Sequence, residues 1–373
     1  MRKNSRRMEQ ILDKKHSKKI NLFEQSIRSE YTKNVYMTCL RKYLEFPGSS
    51  KIIDNVDGRN VENHIIDFVI SLKKQGKGFT AIRNYVSAIC KYYRMNDVLL
   101  NSNKIHQYMP EFRKSKKDRA YRHDEISRLL DVADERLRAV ILLLASTGMR
   151  VGAISSLRLR NLEKVESEYD IYKTTVYEGF NEEYITFCTP ECSKAIDDYL
   201  NMRSKYGEKL TQDSFLIREQ FDVRDPFSIS RCRQIKAKTL TKKLIDLAER
   251  SVIREKEILV DNSHNKRAQI RKDVPIAHGF RKFFTTQLVE ADLKTELRWL
   301  LEGHKLKGND SHYIRVSEKR LQEEYEKAIN NLTINEENRL KRTVEILKIE
   351  KSQLQKITKD VAFLKREYNK LKT

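Results

Sequence analysis

No stretch of this 373-residue chain approaches the roughly 20 consecutive apolar residues that a bilayer-crossing helix needs, so no membrane span is expected. The first residues, Met1-Arg2-Lys3-Asn4-Ser5-Arg6-Arg7, lack the apolar core of a secretion signal, which predicts a soluble, cytoplasmic protein. The five cysteines (Cys39, Cys90, Cys188, Cys192, Cys232) lack the paired spacing of a zinc site. Cys188 and Cys192 flank Thr-Pro-Glu, but no second pair completes four ligands, so reduced structural thiols and no metal are expected. Acidic residues are also short. Fifty-three Asp and Glu face 75 Lys and Arg, and the net charge of +22 draws the chain to polyanions, with strongly salt-dependent binding. Charge alone fits equally well a solubilising surface excess or a ribosome-like RNA binder. The length allows two or three domains with proper cores.

What is present is more specific. Arg150 in Ser-Thr-Gly-Met-Arg is followed by His278-Gly-Phe-Arg281, by Gly303-His304 and by Tyr313. Two arginines and two histidines supply charge and hydrogen bonds for a pentavalent phosphate, and a tyrosine oxygen can hold the phosphate covalently. His278 and Arg281 are three apart, so on a helix they share a face and can grip one anion together. Arg281 precedes His304 by 23 residues and His304 precedes Tyr313 by nine. A guanidinium suits non-bridging phosphate oxygens better than lysine does, and an imidazole titrates near neutrality. Each residue alone has an ordinary explanation: a helix cap for Arg150, surface or core positions for isolated histidines such as His264 and His312. Four groups in order at fitting intervals outweigh those readings.

On these residues the chain resembles the tyrosine recombinases, the phage-integrase-like enzymes, over about residues 125 to 320, with a weaker likeness in the helical region before it. The passage from Glu183-Tyr184-Ile185-Thr186-Phe187 to Thr189-Pro190-Glu191 looks like that of archaeal integrases. The resemblance implies transesterification: Tyr313 attacks a phosphodiester, forms a 3′-phosphotyrosyl link and releases a 5′ hydroxyl that can attack a second DNA partner, with neither ATP nor metal and no cofactor. It implies Arg150, His278, Arg281, His304 and Tyr313 as catalytic residues, double-stranded DNA at a specific recombination site as partner, and a homo-oligomer, a tetramer, on DNA. Two departures stand out. The family usually has a lysine at the hairpin turn as general acid to the leaving 5′ oxygen; here the turn is Glu178-Gly179-Phe180-Asn181, and the nearest candidate is Lys173, on the preceding strand. Ala153 stands where many relatives have an acidic brace. A type IB topoisomerase shares this chemistry, and a DNA-binding relative without cleavage is a third reading, motivated by the missing turn lysine. Tyr325 is the only other tyrosine soon after His304.

The expected fold is mainly α: an N-terminal helical bundle similar to the family's core-binding domain, an α-rich catalytic domain with a small β-hairpin, and a long C-terminal helix. Residues 1–21 read as a basic arm, disordered or a frayed helix. Residues 22–110 are helical, with Tyr31, Val35, Leu40 and Leu44 on one stripe, Val61, Ile65, Phe68, Val69 and Leu72 on another, and Ile82, Tyr85, Val86, Ile89 and Tyr92 on a third. Thr80, Arg83, Asn84 and Ser87 fall on a polar face, either phosphate contacts or a plain solvated surface. Residues 111–122, with six basic residues, read as a linker along a DNA backbone.

The catalytic domain, 123–330, opens with Asp124 as a helix cap, then an apolar helix from Leu137 to Ser146 ended by Thr147-Gly148. Residues 171–188 read as a β-hairpin, Lys236 and Lys238 head a basic helix as candidate DNA contacts, and 251–275 read as an extended loop. In the tail, 331–373, Leu340, Val344, Leu347 and Leu354 recur at heptad positions and, after a three-residue phase shift, Ile357, Val361, Leu364, Tyr368 and Leu371 continue. Either a coiled coil or partner-docked helix follows, or a helix folded back on its own domain; Lys351 on the stripe weakens the coiled coil.

Overall fold

The computed structural model describes residues 14–49, 52, 58–112, 118–251, 257–260, 269–306 and 316–371. The chain divides into two compact units, one of residues 1–117 with 258–271, the other of residues 118–257 with 272–373. Helices dominate both, as the periodicity predicts.

The first unit contains α1 (Lys14–Gln25), α2 (Glu30–Leu44), α3 (Gly58–Lys74), α4 (Phe79–Arg94) and α5 (Ser102–Gln107). Residues 14–21, read as arm, begin α1, whose Ile20 and Phe23 are buried. The stripes of α3 and α4 form the core as expected, and Tyr43 adds a polar link inside it, its hydroxyl 3.0 Å from His64 Nδ1. The stripe proposed for α2 is corrected: Tyr31 is exposed and Cys39, Leu40 and Tyr43 are buried. Tyr31 lies in the first turn, beyond the reach of the packed face. Each fully buried Val, Leu, Ile or Phe stabilises the bundle by about 1.5–3 kcal/mol.

The second unit is built around α7 (Glu135–Thr147), in which every residue from Ala139 to Thr147 is buried. A helix apolar on all sides belongs at the centre of a domain. Against it pack α6 (His123–Asp131), α9 (Pro190–Lys205) and α12 (Ile276–Glu290). The one-turn α8 (Val151–Ile154) follows α7, and a three-stranded antiparallel sheet comes next: β1 (Leu162–Lys164), β2 (Tyr172–Val176) and β3 (Tyr184–Phe187) in that order. The β2–β3 hairpin is the expected one, with Val176 opposite Tyr184. The edge strand β1 was missed, because three residues are too few to show an alternation. Then come α10 (Pro226–Ser230), α11 (Ala237–Arg250), α13 (Thr295–Leu301), α14 (Glu318–Leu332) and the 36-residue α15 (Glu336–Leu371).

Three further readings change. The cap of α6 is Arg122, not Asp124: Glu125 reaches back to accept the Arg122 N–H at 2.8 Å. Its carboxylate also accepts two bonds from Arg119, at 2.7 and 2.6 Å, while Arg119 Nε donates to Asp273 at 2.9 Å. Residues 118–122 of the segment read as a linker along DNA are thus anchored in this unit, with Tyr121 buried against Phe280; residues 113–117 lie outside the described residues. Finally, the segment read as a loop contains β4 (Glu257–Val260) and β5 (Gln269–Lys272), paired as a two-stranded sheet. At four residues each, Glu-Ile-Leu-Val and Gln-Ile-Arg-Lys are too short to show an alternation.

Candidate functional site

Two local structures bring the distant motifs together. At the end of α7, Gly148 takes a left-handed conformation (φ 59°) and donates its N–H to Leu144, turning the chain so that Arg150 caps α8, exposed. A Cβ on Gly148 would overlap the Phe284 ring of α12, so glycine is required there by backbone and space alike. After α13, Gly303 (φ 69°) repeats the arrangement: a Cβ would stand 2.5 Å from Cδ1 and Cε1 of Tyr184. The chain reverses and presents His304.

Arg281 joins these two turns. Its side chain is 7% exposed, and its guanidinium donates to the Gly148 carbonyl at 2.9 Å, to the Glu302 carbonyl at 2.6 Å and to His304 Nε2 at 3.0 Å. A guanidinium has five N–H donors and no acceptor, so His304 Nε2 must accept and Nδ1 must carry the ring proton. Nδ1 then faces the buried Glu302 carboxylate, 3.1 Å away. Where Ala153, fully buried, replaces the acidic brace, backbone carbonyls from both turns hold the arginine.

The electrostatics follow from that convergence. His278 lies on α12 one turn before Arg281, and its pKa is lowered by burial, then by Lys282, Arg281 and Arg150, with Asp118 opposing. His304 is lowered by burial, then by Arg281 and also Arg150, against Glu302. Both imidazoles are therefore neutral near pH 7, each able to give or accept one proton. Arg150 acts on both and on Tyr184, which places it within electrostatic range of the same cleft. Two guanidinium groups and two neutral imidazoles within electrostatic range of one another supply the kind of charge and hydrogen bonding that a tetrahedral or pentavalent anion needs.

Sequence reasoning missed Tyr184 as part of this site. Its hydroxyl is buried beside Arg281, and burial, offset by Arg281 and Arg150, pushes its pKa up to about 12. The ring shapes the Gly303 turn. Glu302 was missed too, since a lone glutamate before Gly-His gives no sign that it orients an imidazole.

Lys173 stands elsewhere on the sheet, donating to Glu318 at 2.8 Å and ion-paired with Glu163, its cross-strand neighbour, at 2.6 Å. Both carboxylates raise its pKa. Tyr325 is fully buried, with its hydroxyl donating to the Ser146 carbonyl at 2.9 Å and its ring against Phe187. It is a core residue. Tyr313, His312 and His264 lie outside the described residues. Thr80, Arg83, Asn84 and Ser87 are all exposed on α4, and Lys236 and Lys238 are exposed at the start of α11.

The model of the phage integrase family matches residues 119–320. The chain belongs to that family. Among solved structures, the integrase of the Tn1549 transposon in complex with transposon right end DNA is 16% identical, with a TM-score of 0.54 over 82% of this chain and 98% of that one. The XerH site-specific recombinase in its post-cleavage complex with a palindromic difH substrate is 17% identical, with a TM-score of 0.50 over 78% of each chain. At such identities these likenesses speak to the fold, which is mainly α with a small sheet as expected. No curated protein matches the sequence. The family match covers α6 through the first residues of α14, and so includes the whole cleft held together by Arg281.

Proposed function

We propose that this phage integrase family member is a site-specific DNA recombinase that cuts and rejoins strands through a covalent phosphotyrosine. The observation that carries the reading is Arg281, a buried guanidinium bonded at once to the turn before Arg150 and to His304. Three of its five N–H groups are used among the described residues, leaving donors for a phosphate oxygen.

In this reading the Tyr313 oxygen attacks the scissile phosphorus, its proton passing to a neutral imidazole of the cleft. The new O–P bond forms as the bond to the 5′ oxygen breaks, with Arg150 and Arg281 stabilising charge on the non-bridging oxygens. The 5′ oxygen leaves with a proton. Attack by a 5′ hydroxyl from a second duplex reverses the steps and rejoins the strands, so the phosphoester bond is exchanged rather than lost. Lys173 is the lysine assigned to protonate the leaving oxygen; it must part from Glu163 and Glu318 to do so, and its raised pKa opposes proton release. Thr80, Arg83, Asn84, Lys236 and Lys238 are assigned to the DNA backbone, and action as a tetramer in the cytoplasm completes the proposal. No described helix is long and apolar enough to cross a membrane.

Covalent capture tests it. The full-length protein is incubated with a random duplex library, denatured, and the DNA that stays attached is sequenced. One enriched sequence is expected. Adducts without sequence preference point to a topoisomerase-like strand transferase, and strong binding with no adduct points to a relative that has lost cleavage.

A further inference from the structure

We infer that α15 is a dimerisation element that pairs in parallel, in register, with α15 of a second copy of this chain as a two-stranded coiled coil. Among the described residues, the helix is fixed only at its start. Glu191 of α9 accepts the N–H groups of Ile334 and Asn335 at 2.8 and 3.1 Å and the Asn338 side-chain amide at 3.0 Å, a carboxylate placed at the positive end of the helix dipole. Arg342 adds a stack over Tyr169, 5.3 Å from the ring centroid. From Ile346 to Lys365 every residue is exposed, so the helix does not fold back on its own domain. Its stripe of Leu340, Val344, Leu347, Leu354, Ile357, Val361 and Leu364 is between 46% and 66% exposed. Helices of this length owe most of their stability to packing of an apolar face, and here that face has no partner among the described residues.

The spacing and the charges name the partner. The steps run 4, 3, 4, 3 from Leu340 through Lys351 to Leu354, then 3, 4, 3 to Leu364. This is a heptad seam with one three-residue phase shift at Leu354. A seam with one phase shift matches a copy of itself in only two ways: parallel with zero offset, or antiparallel about Leu354. The flanking charges separate the two. In parallel, Glu336 faces Lys341 of the copy, Asp360 faces Lys365, and Lys351, on the seam, lies beside Glu350. Antiparallel pairing sets Lys341 against Lys365 and Glu350 against Asp360. Opposite charges beside the seam select orientation, and a single seam lysine fixes register at some cost in stability. In register the two Lys351 side chains meet across the seam, a cost in stability that Glu350 of each copy, beside the seam, offsets.

The test uses the full-length protein without DNA. Sedimentation at micromolar concentration is expected to give a dimer, and Leu347→Lys with Leu354→Lys a monomer whose melting is otherwise unchanged, since both side chains are exposed on α15. Val344→Cys, which brings Val344 of each copy face to face only in the parallel pair, is expected to form a disulfide-linked dimer on mild oxidation, above the background of the unsubstituted chain. Lys365→Glu should weaken the dimer, and adding Asp360→Lys should restore it. A full-length chain that is monomeric, or a dimer unaffected by the double lysine variant, would overturn the proposal. So would strengthening by Lys365→Glu, or cross-linking of Val344→Cys only to a Leu364→Cys chain, either of which marks the antiparallel pair.

Discussion

Gly303→Ala tests the geometry of the cleft without removing any functional group. At φ 69° an alanine costs about 1–2 kcal/mol from its backbone alone. Its Cβ would then stand 2.5 Å from the Tyr184 ring, and forcing one methyl into packed space costs about 1–3 kcal/mol more. The two together give about 2–5 kcal/mol for the unit that holds the cleft. Gly179 supplies the control: its φ is 78° but no atom lies within 4 Å of the added Cβ, so Gly179→Ala should show only the first cost. Urea denaturation of both variants measures the difference. In a Tyr184→Ala background the steric part should vanish, giving a coupling of about 1–3 kcal/mol between the two sites. The Gly303 turn also carries the Glu302 carbonyl that holds Arg281, so strand cleavage should fall more in Gly303→Ala than in Gly179→Ala. Equal costs at the two glycines, or no coupling to Tyr184, would refute the steric reasoning.

Other consequences can be measured separately. Arg150→Ala and Arg281→Ala should each slow cleavage by at least about a hundredfold while changing DNA affinity little, because each is one of many phosphate contacts; only Arg281→Ala should also lower the melting temperature, since it abandons two carbonyls and an imidazole. His123, His278 and His304 all have pKa values held below the ordinary one, with burial the first cause. The unfolded chain therefore binds protons more readily, and their stabilisation, full above about pH 6.5, is lost as the pH falls toward the folded values. Urea midpoints between about pH 7 and pH 5 should drop, and less so with His123→Asn and His278→Asn combined. If Lys173 is the general acid, Lys173→Met should slow cleavage of ordinary DNA but not of a substrate whose 5′ bridging atom is sulfur, because a thiolate leaves without a proton; equal slowing of both would assign Lys173 to the ion pairs with Glu163 and Glu318 alone.

Much of this was legible in the sequence because local rules carried it. The stripes of α3 and α4 become cores, Thr147-Gly148 ends α7, and His278 and Arg281 share a helix because three residues nearly complete a turn. What escaped depends on contacts between distant segments. Tyr184 enters the cleft only because β3 lies beneath the Gly303 turn, and the backbone carbonyls that hold Arg281 have no sequence signature. Arg203, Glu208 and Arg218 look like solvated charges, yet Glu208 lies buried between the two arginines, with bonds of 2.6 to 3.0 Å. Conversely, the basic residues of 118–122 suggest a linker laid along a DNA backbone, but Arg119 is claimed by Glu125 and Asp273.

A covalent bond at Tyr313 is the central step of the proposed chemistry, and one measurement reaches it directly. Protein trapped on its cleaved DNA is digested with protease and nuclease, and the peptide that retains a nucleotide is sequenced by mass spectrometry. A phosphotyrosyl link at Tyr313 is expected, absent in Tyr313→Phe protein that still binds DNA, and unchanged by Tyr325→Phe. A nucleotide on any other residue, or an adduct that survives Tyr313→Phe, would contradict it.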